Sequence, residues 1–167
     1  MAQEKMKVYC ETSFWSWLVS RPSSNPDHAV KQAWTRKWWE EIAPKCDVYV
    51  SEYVSAEAGK GNAEMAERRM KCLGQAFELN AMIAEVENLA ERLKEGHAIP
   101  ECETTDALHI AVSAVYGMDV LLTWNCRHMA NPVTLPKTSA IIAKSGYVCP
   151  VIVTPFEFLE RKEEFSL

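Results

Sequence analysis

Three features of the chain predict an α/β fold with a mainly parallel central sheet and helices on both of its faces. Four short apolar runs, Lys7–Cys10, Val48–Val54, Met118–Trp124 and Val151–Val153, have the length and composition of strands. The segments between them are long enough to hold crossover helices, which parallel neighbours require and hairpins do not. The run from Met118 to Trp124 is too apolar for a strand with one wet face, as expected where helices cover both sides. With 167 residues, 48% of them hydrophobic and 25% charged, the chain has the size and composition of one soluble globular unit, and a single domain over 1–167 is expected.

KVYC at Lys7–Cys10 reads as a buried first strand that turns at Glu11, Thr12 and Ser13, with a short apolar segment from Phe14 to Val19 behind it. The tract RPSSNPD from Arg21 to Asp27 is a loop. Val30, Trp34, Trp38 and Ile42 recur every four positions, predicting a helix from His28 to Ile42 with Asp27 as its N-cap and Pro44 just past its end. Trp39 lies off that stripe and is a candidate interface residue. The second strand leads past Glu57 into a short helix closed by Gly59 and Gly61. Amphipathic helices are expected from Asn62 to Phe77 and from Asn80 to Leu93. Thr104 or Thr105 then caps the apolar helix DALHIAVSAVYG, which ends at Gly117, and Ile141–Lys144 is a further short helix.

The bulk composition narrows the function classes. A net charge of −5 argues against holding nucleic acid through a broad basic surface, so any polyanion contact must be local. No apolar run has the length of a bilayer span, and the amino terminus shows neither a secretory signal nor a transit peptide, so a cytoplasmic location and no membrane contact are expected. Six cysteines stand singly, without a CxxC pair, and read as reduced thiols; a zinc site from Cys126, His128 and distant ligands is the sharper alternative. The phosphate-binding G-x-x-x-x-G-K-[ST] loop, the dinucleotide G-x-G-x-x-G turn and the acyl-transfer G-x-S-x-G elbow are all missing from the sequence. An aspartyl-phosphate enzyme would need aspartate at the end of the first strand, where this chain has Glu11.

The remaining candidates are polar residues at the ends of elements. Glu11 follows a buried strand, Glu57 follows the second strand, Asp106 sits in the first turn of an apolar helix, and Asn125 ends the third apolar run. Side chains at the carboxyl ends of parallel strands converge, so these four can form one anionic pocket that suits a divalent cation and a phosphodiester. Two or three carboxylates and an amide oxygen suffice for magnesium, which keeps several waters. Spacing does not separate Glu57 from Glu52 and Glu64. Asp106 is equally at home there for the helix dipole alone, and Asn125 as a turn residue. Arg127 and His128 are candidates for phosphate.

Four segments in order, VYCETSFW, VSEYVSAEAGKG, TTDALHIA and VLLTWNCRHMAN, resemble the PIN-domain ribonucleases, and among them the VapC-like toxins of type II toxin–antitoxin systems. The likeness runs from Met6 to the closing VIVTPFEFL. It implies a three-layer α/β/α domain with sheet order 3-2-1-4-5 and RNA hydrolysis dependent on Mg²⁺ or Mn²⁺. By motif position Glu11 matches the family's first aspartate, Glu57 its central glutamate and Asp106 its next aspartate, while Asn125 falls where a further aspartate often stands. On this basis Glu11 and Asp106 hold metal, Glu57 orients or activates water, Asn125 supports the site, and Ser13 and Arg127 meet substrate. A small antitoxin protein and a second copy of the chain are the implied partners. Two departures bear on activity. Glutamate at 11 is longer than aspartate by one bond, roughly 1.5 Å, and Asn125 removes a negative charge. The alternative reading is therefore a catalytically weakened PIN-like module that works by binding protein or RNA; a phosphatase-like phosphoryl transferase is a third.

Overall fold

The KVYC run becomes the centre of the sheet because nothing in it after Lys7 tolerates water. In the computed structural model, which describes residues 4–165, strand β1 (Lys7–Cys10) has Val8, Tyr9 and Cys10 fully buried. It is flanked on one side by β2 (Asp47–Ser51), with Tyr9 opposite Tyr49, and on the other by β4 (Val120–Leu122), with Tyr9 opposite Leu121. β3 (Phe77–Leu79) pairs outside β2, and β5 (Val151–Val153) outside β4. Every pairing is parallel and the order is β3-β2-β1-β4-β5. The first three and last two residues of the expected 1–167 unit lie outside the described residues.

Among the described residues eight α-helices accompany the sheet: α1 (Thr12–Val19), α2 (Pro26–Glu41), α3 (Glu52–Ala58), α4 (Ala63–Leu73), α5 (Ala84–Glu95), α6 (Thr104–Val115), α7 (Leu135–Lys144) and α8 (Pro155–Glu160). Among the described residues no helix is long and apolar enough to cross a membrane. Gly117 joins α6 to β4 with φ of +64°, a conformation in which a side chain is strained. Gly96 closes α5 where a Cβ would run into the Ile141 side chain of α7.

Several element boundaries differ from the sequence expectation, each for a local reason. VYVSEYV is strand only as far as Ser51; Glu52 opens α3, and Val54 is buried as a helical residue. The third apolar run is strand only over Val120–Leu122. The helix expected to reach Phe77 stops at Leu73, because Phe77–Leu79 forms the edge strand β3. That strand has only three residues and leaves Phe77 and Glu78 exposed, so it carries no apolar alternation, although the Phe77 ring packs 5.4 Å from Tyr49. Asn25, not Asp27, caps α2: its Oδ1 accepts from the Asp27 N–H at 2.9 Å and the His28 N–H at 3.4 Å. Glu103 stands at the N-cap of α6, with Thr104 and Thr105 already inside the helix and no side-chain cap bond. α7 extends back to Leu135, well before Ile141, and Phe14–Val19 belongs to α1.

The α1–α2 side of the core is aromatic. The Phe14 ring meets Trp15 at 5.3 Å and Trp38 at 5.4 Å, both edge to face, and all three side chains are fully buried. Along the stripe on α2, Trp38 and Ile42 are buried, while Val30 is 52% exposed. Trp39 is half-buried, edge-on to Trp15 at 5.3 Å, and forms part of the wall of this cluster rather than an exposed anchor. Replacing Phe14 by Ala is expected to remove about 3–5 kcal/mol of stability, read in chemical denaturation as a lower midpoint at unchanged slope.

Candidate active site

Sheet order places a topological switch beside β1: the chain moves from β1 outward to β2 and β3, then returns to pair β4 on the other flank. Glu11 sits at the carboxyl end of that junction. Its backbone N–H donates to the Leu122 carbonyl at 3.2 Å, extending the β1–β4 ladder by one bond, and its side chain turns back as the N-cap of α1. Oε1 accepts from the Ser13 N–H at 3.0 Å, from the Ser13 hydroxyl, and from the Thr123 hydroxyl at 2.9 Å. Only 5% of Glu11 is exposed. Burial pushes its carboxyl above the ordinary glutamate pKa, and the charge of His109 and the bonds from Ser13 and Thr123 only partly oppose it.

Glu57, at the end of α3, is approached from the sheet by a buried relay. Its Oε2 accepts from the Thr12 hydroxyl and lies 3.1 Å from His109 Nε2. A carboxylate only accepts, so Nε2 carries a proton, and Nδ1 lies 2.8 Å from the Tyr9 hydroxyl. The Tyr9 hydroxyl in turn pairs with the Ser51 hydroxyl at 2.8 Å. His109 is 1% exposed and reaches Glu57 because it stands three residues after Asp106 on α6. For Glu57 burial alone would raise the pKa, but the bonds from His109 and Thr12, with the nearby His109 and Lys60 charges, hold it below the ordinary value. The rival acids are engaged elsewhere: Glu52 accepts from the Ala81 N–H at 2.7 Å, and Glu64 pairs with Arg21 and Arg68.

Asp106 forms the third part of the site. Its Oδ2 accepts from Asn125 Nδ2 at 2.8 Å and lies 3.1 Å from His128 Nδ1. Asn125 is both turn residue and strut: its Oδ1 accepts from the His128 N–H at 3.0 Å, and its own N–H donates to Thr123 Oγ1 at 2.9 Å. The Thr123 hydroxyl therefore joins the Asp106–Asn125 pair to Glu11. Ser13 is committed within the frame, donating to Glu11 and accepting the Trp124 N–H at 2.8 Å. Arg127 is exposed on the adjoining loop.

Each carboxylate thus spends one oxygen internally. Among the described residues no hydrogen bond uses Oε2 of Glu11, Oε1 of Glu57 or Oδ1 of Asp106. None of these atoms is sealed from solvent either, since Trp38 Nε1 is the only fully buried side-chain polar atom without a partner among the described residues. The acids do not form one tight cluster. The ligand atoms that come within 4.8 Å of one another belong to Glu103, Asp106 and His128. That set of two carboxylates and an imidazole fits a divalent cation, and the imidazole favours Mn²⁺ over Mg²⁺. No cysteine joins it, and all six thiols are free. A hollow of about 780 Å³ opens at the opposite sheet edge, bordered by Lys5, Lys7, Asp119 and Phe165, and includes none of these acids.

Tyr9, Thr12, Ser51, His109 and Thr123 were not singled out for the site from sequence, and Glu103 was read only as adding negative potential upstream of Asp106. The available signal was His109, a lone imidazole in an otherwise apolar helix and one turn from Asp106.

No family model matches the chain, and no curated protein matches it by sequence. Two solved structures share its fold. The VapC20 toxin of Mycobacterium tuberculosis, described as cleaving the sarcin-ricin loop, is 17% identical, superposes with a TM-score of 0.55, and aligns over 84% of this chain and 96% of its own. VapBC2 from Rickettsia felis, solved on a DNA fragment from its promoter, is 13% identical with a TM-score of 0.56 over 88% of this chain and 97% of its own. The chain has the VapC-like PIN fold, with the sheet order that the sequence motifs implied.

The opposite pKa shifts of the two glutamates predict opposite effects on stability. Folded Glu11 holds its proton more tightly than the unfolded chain does, so its contribution falls as pH rises from the ordinary glutamate value through the raised one. Glu57 contributes stability above the ordinary value and loses it as pH falls through the depressed one. In chelator at neutral pH, Glu11→Gln is expected to raise the thermal midpoint and Glu57→Gln to lower it. Melting curves between about pH 3 and pH 8 should show both differences shrinking toward the acid end.

Proposed function

We propose that this chain is a metal-dependent endoribonuclease, the toxin member of a toxin–antitoxin pair, built as one PIN domain over 1–167. The observation that carries this reading is the arrangement of Glu11, Glu57 and Asp106 at one sheet edge, each with one oxygen fixed by hydrogen bonds and the other without a hydrogen-bond partner among the described residues. The fold shared with two VapC toxin structures supports it. A small antitoxin, a second copy of the chain and a cytoplasmic setting belong to the same reading.

A divalent cation, Mg²⁺ or Mn²⁺, when bound supplies charge neutralisation at the phosphodiester and a more acidic water. Asp106, with Glu103 and His128 beside it, would hold that ion, and Glu11 would offer its open oxygen from the β1 side. Glu57 is placed to orient or deprotonate the attacking water: Thr12 and the His109 relay fix its Oε2 and leave Oε1 without a hydrogen bond. Asn125 holds Asp106 in place and orients the loop that carries Arg127, a candidate ligand for the RNA backbone.

The test is cleavage of RNA by the purified chain with Mn²⁺ or Mg²⁺. Products should carry 3′-hydroxyl and 5′-phosphate ends, chelator should abolish the reaction, and Glu57→Gln should lower the rate by roughly 10²–10⁴-fold. Cyclic 2′,3′-phosphate ends, or undiminished cleavage by Asp106→Ala in chelator, would refute it. In calorimetry without RNA, His128→Ala should weaken Mn²⁺ binding by at least about tenfold and Mg²⁺ binding by less.

One observation favours a second reading. Glu11 and Glu57 lie outside the group whose ligand atoms converge within 4.8 Å, as a site weakened by glutamate at 11 and amide at 125 would show. On this reading the chain acts by binding protein or RNA. Joint Glu11→Asp and Asn125→Asp substitution should then create cleavage where the parent chain has none; equal activity in both would remove it.

A further inference from the structure

Beside the carboxylates lies an aromatic and basic cluster with no part in the steps above. Trp17 stands four residues after Ser13 on α1 and so on the face that meets Glu11. Trp124 follows Thr123 directly; its N–H donates to Ser13 Oγ at 2.8 Å, and its indole N–H to Thr35 Oγ1 on α2 at 2.8 Å. Lys31 of α2 reaches between the two rings, its Nζ 5.4 Å from the Trp17 centroid and 6.0 Å from the Trp124 centroid. The exposed His28 ring lies 5.1 Å from Trp17. Trp17, Lys31 and Trp124 are all half-buried, and among the described residues Lys31 has no carboxylate partner.

In a chain of net charge −5, an ammonium without a counter-ion, held by two indoles at the rim of an acidic site, is matched to a ligand that brings its own negative charge and flat apolar faces. Single-stranded nucleic acid has both, because its bases are free to stack, whereas a duplex hides them. We propose that Trp17, Lys31 and Trp124 form an entry subsite for single-stranded RNA, with a backbone phosphate on Lys31 Nζ and an unpaired base stacked on an indole, Trp17 being the more accessible to replacement without loss of the Thr35 tether. The inference rests on the reading of the neighbouring acids as an RNA-cleaving site and adds which side chains beside it seat the strand.

Binding and turnover separate in the test. The full chain is titrated in chelator into a fluorescently labelled single-stranded oligoribonucleotide, and into its duplex, with anisotropy as the readout. Single strand should bind more tightly than duplex. Trp17→Ala should weaken it roughly tenfold or more, with Trp17→Phe restoring most of the loss. Lys31→Met should reduce the slope of log affinity against log salt by about 0.7. Circular dichroism melts matching the parent chain establish that the variants fold. Unchanged affinity and salt slope in both variants, equal affinity for duplex, no RNA binding by the parent chain, or loss of binding to a partner protein alone would each overturn the subsite. Tight, Trp17-dependent binding without cleavage when metal is added would instead sink the nuclease reading and leave the subsite standing.

Discussion

The hydrogen bond from the Thr123 hydroxyl to Glu11 Oε1 is the contact on which the site depends. It ties the tip of β4 to the tip of β1 across the switch point of the sheet. The same hydroxyl accepts the Asn125 N–H, and Asn125 in turn holds Asp106. One small side chain thus couples the two flanks of the sheet to the first turn of α6. A buried carboxylate such as Glu11 is tolerated only with partners of this kind, since an unpaired charge at 5% exposure costs several kcal/mol in an apolar setting. The strand tips are therefore joined by hydrogen bonds around a charge that is itself unfavourable, and not by apolar packing alone.

The two glutamates answer burial differently. Glu11 is surrounded by hydroxyls and one backbone N–H, which reduce the cost of its charge without removing it. Glu57 faces an imidazole whose second nitrogen is occupied by a buried tyrosine, and the result is a carboxylate that ionises easily. Environments that push neighbouring carboxyl groups apart in acidity are a common way of dividing roles within a site. Here the division follows from which element each residue leaves: Glu11 leaves the innermost strand, and Glu57 a helix at the solvent boundary.

Much of this was legible in the residues. The apolar runs around Val8, Val50, Leu121 and Ile152 marked four strands correctly, and the ordered motifs containing Glu11, Glu57, Asp106 and Asn125 pointed to elements that do meet at one edge. The strand at Phe77–Leu79 was hidden because an exposed edge strand of three residues needs neither alternation nor apolar content. Helix starts were misplaced where a side-chain cap decides them: Asn25 outcompetes Asp27 by geometry that spacing alone does not reveal. Glu103 stands one turn before Asp106, whereas His128 reaches Asp106 only because the loop after β4 folds toward the start of α6, a long-range contact with no local trace. The Glu57 relay escaped notice for the same reason, since Tyr9, Ser51 and His109 look like ordinary core residues one at a time.

The backward turn of Glu11 bears on how such a site survives divergence. Neighbouring strands are anchor points spaced about 4.8 Å apart by backbone hydrogen bonding, and that lattice does not change when a side chain does. An acid one bond too long can be absorbed by capping the helix that starts next to it, as Glu11 does for α1. Chemical identity at a strand tip is then free to drift while the anchor persists, so two proteins can keep the same scaffold after their sequences have ceased to resemble each other.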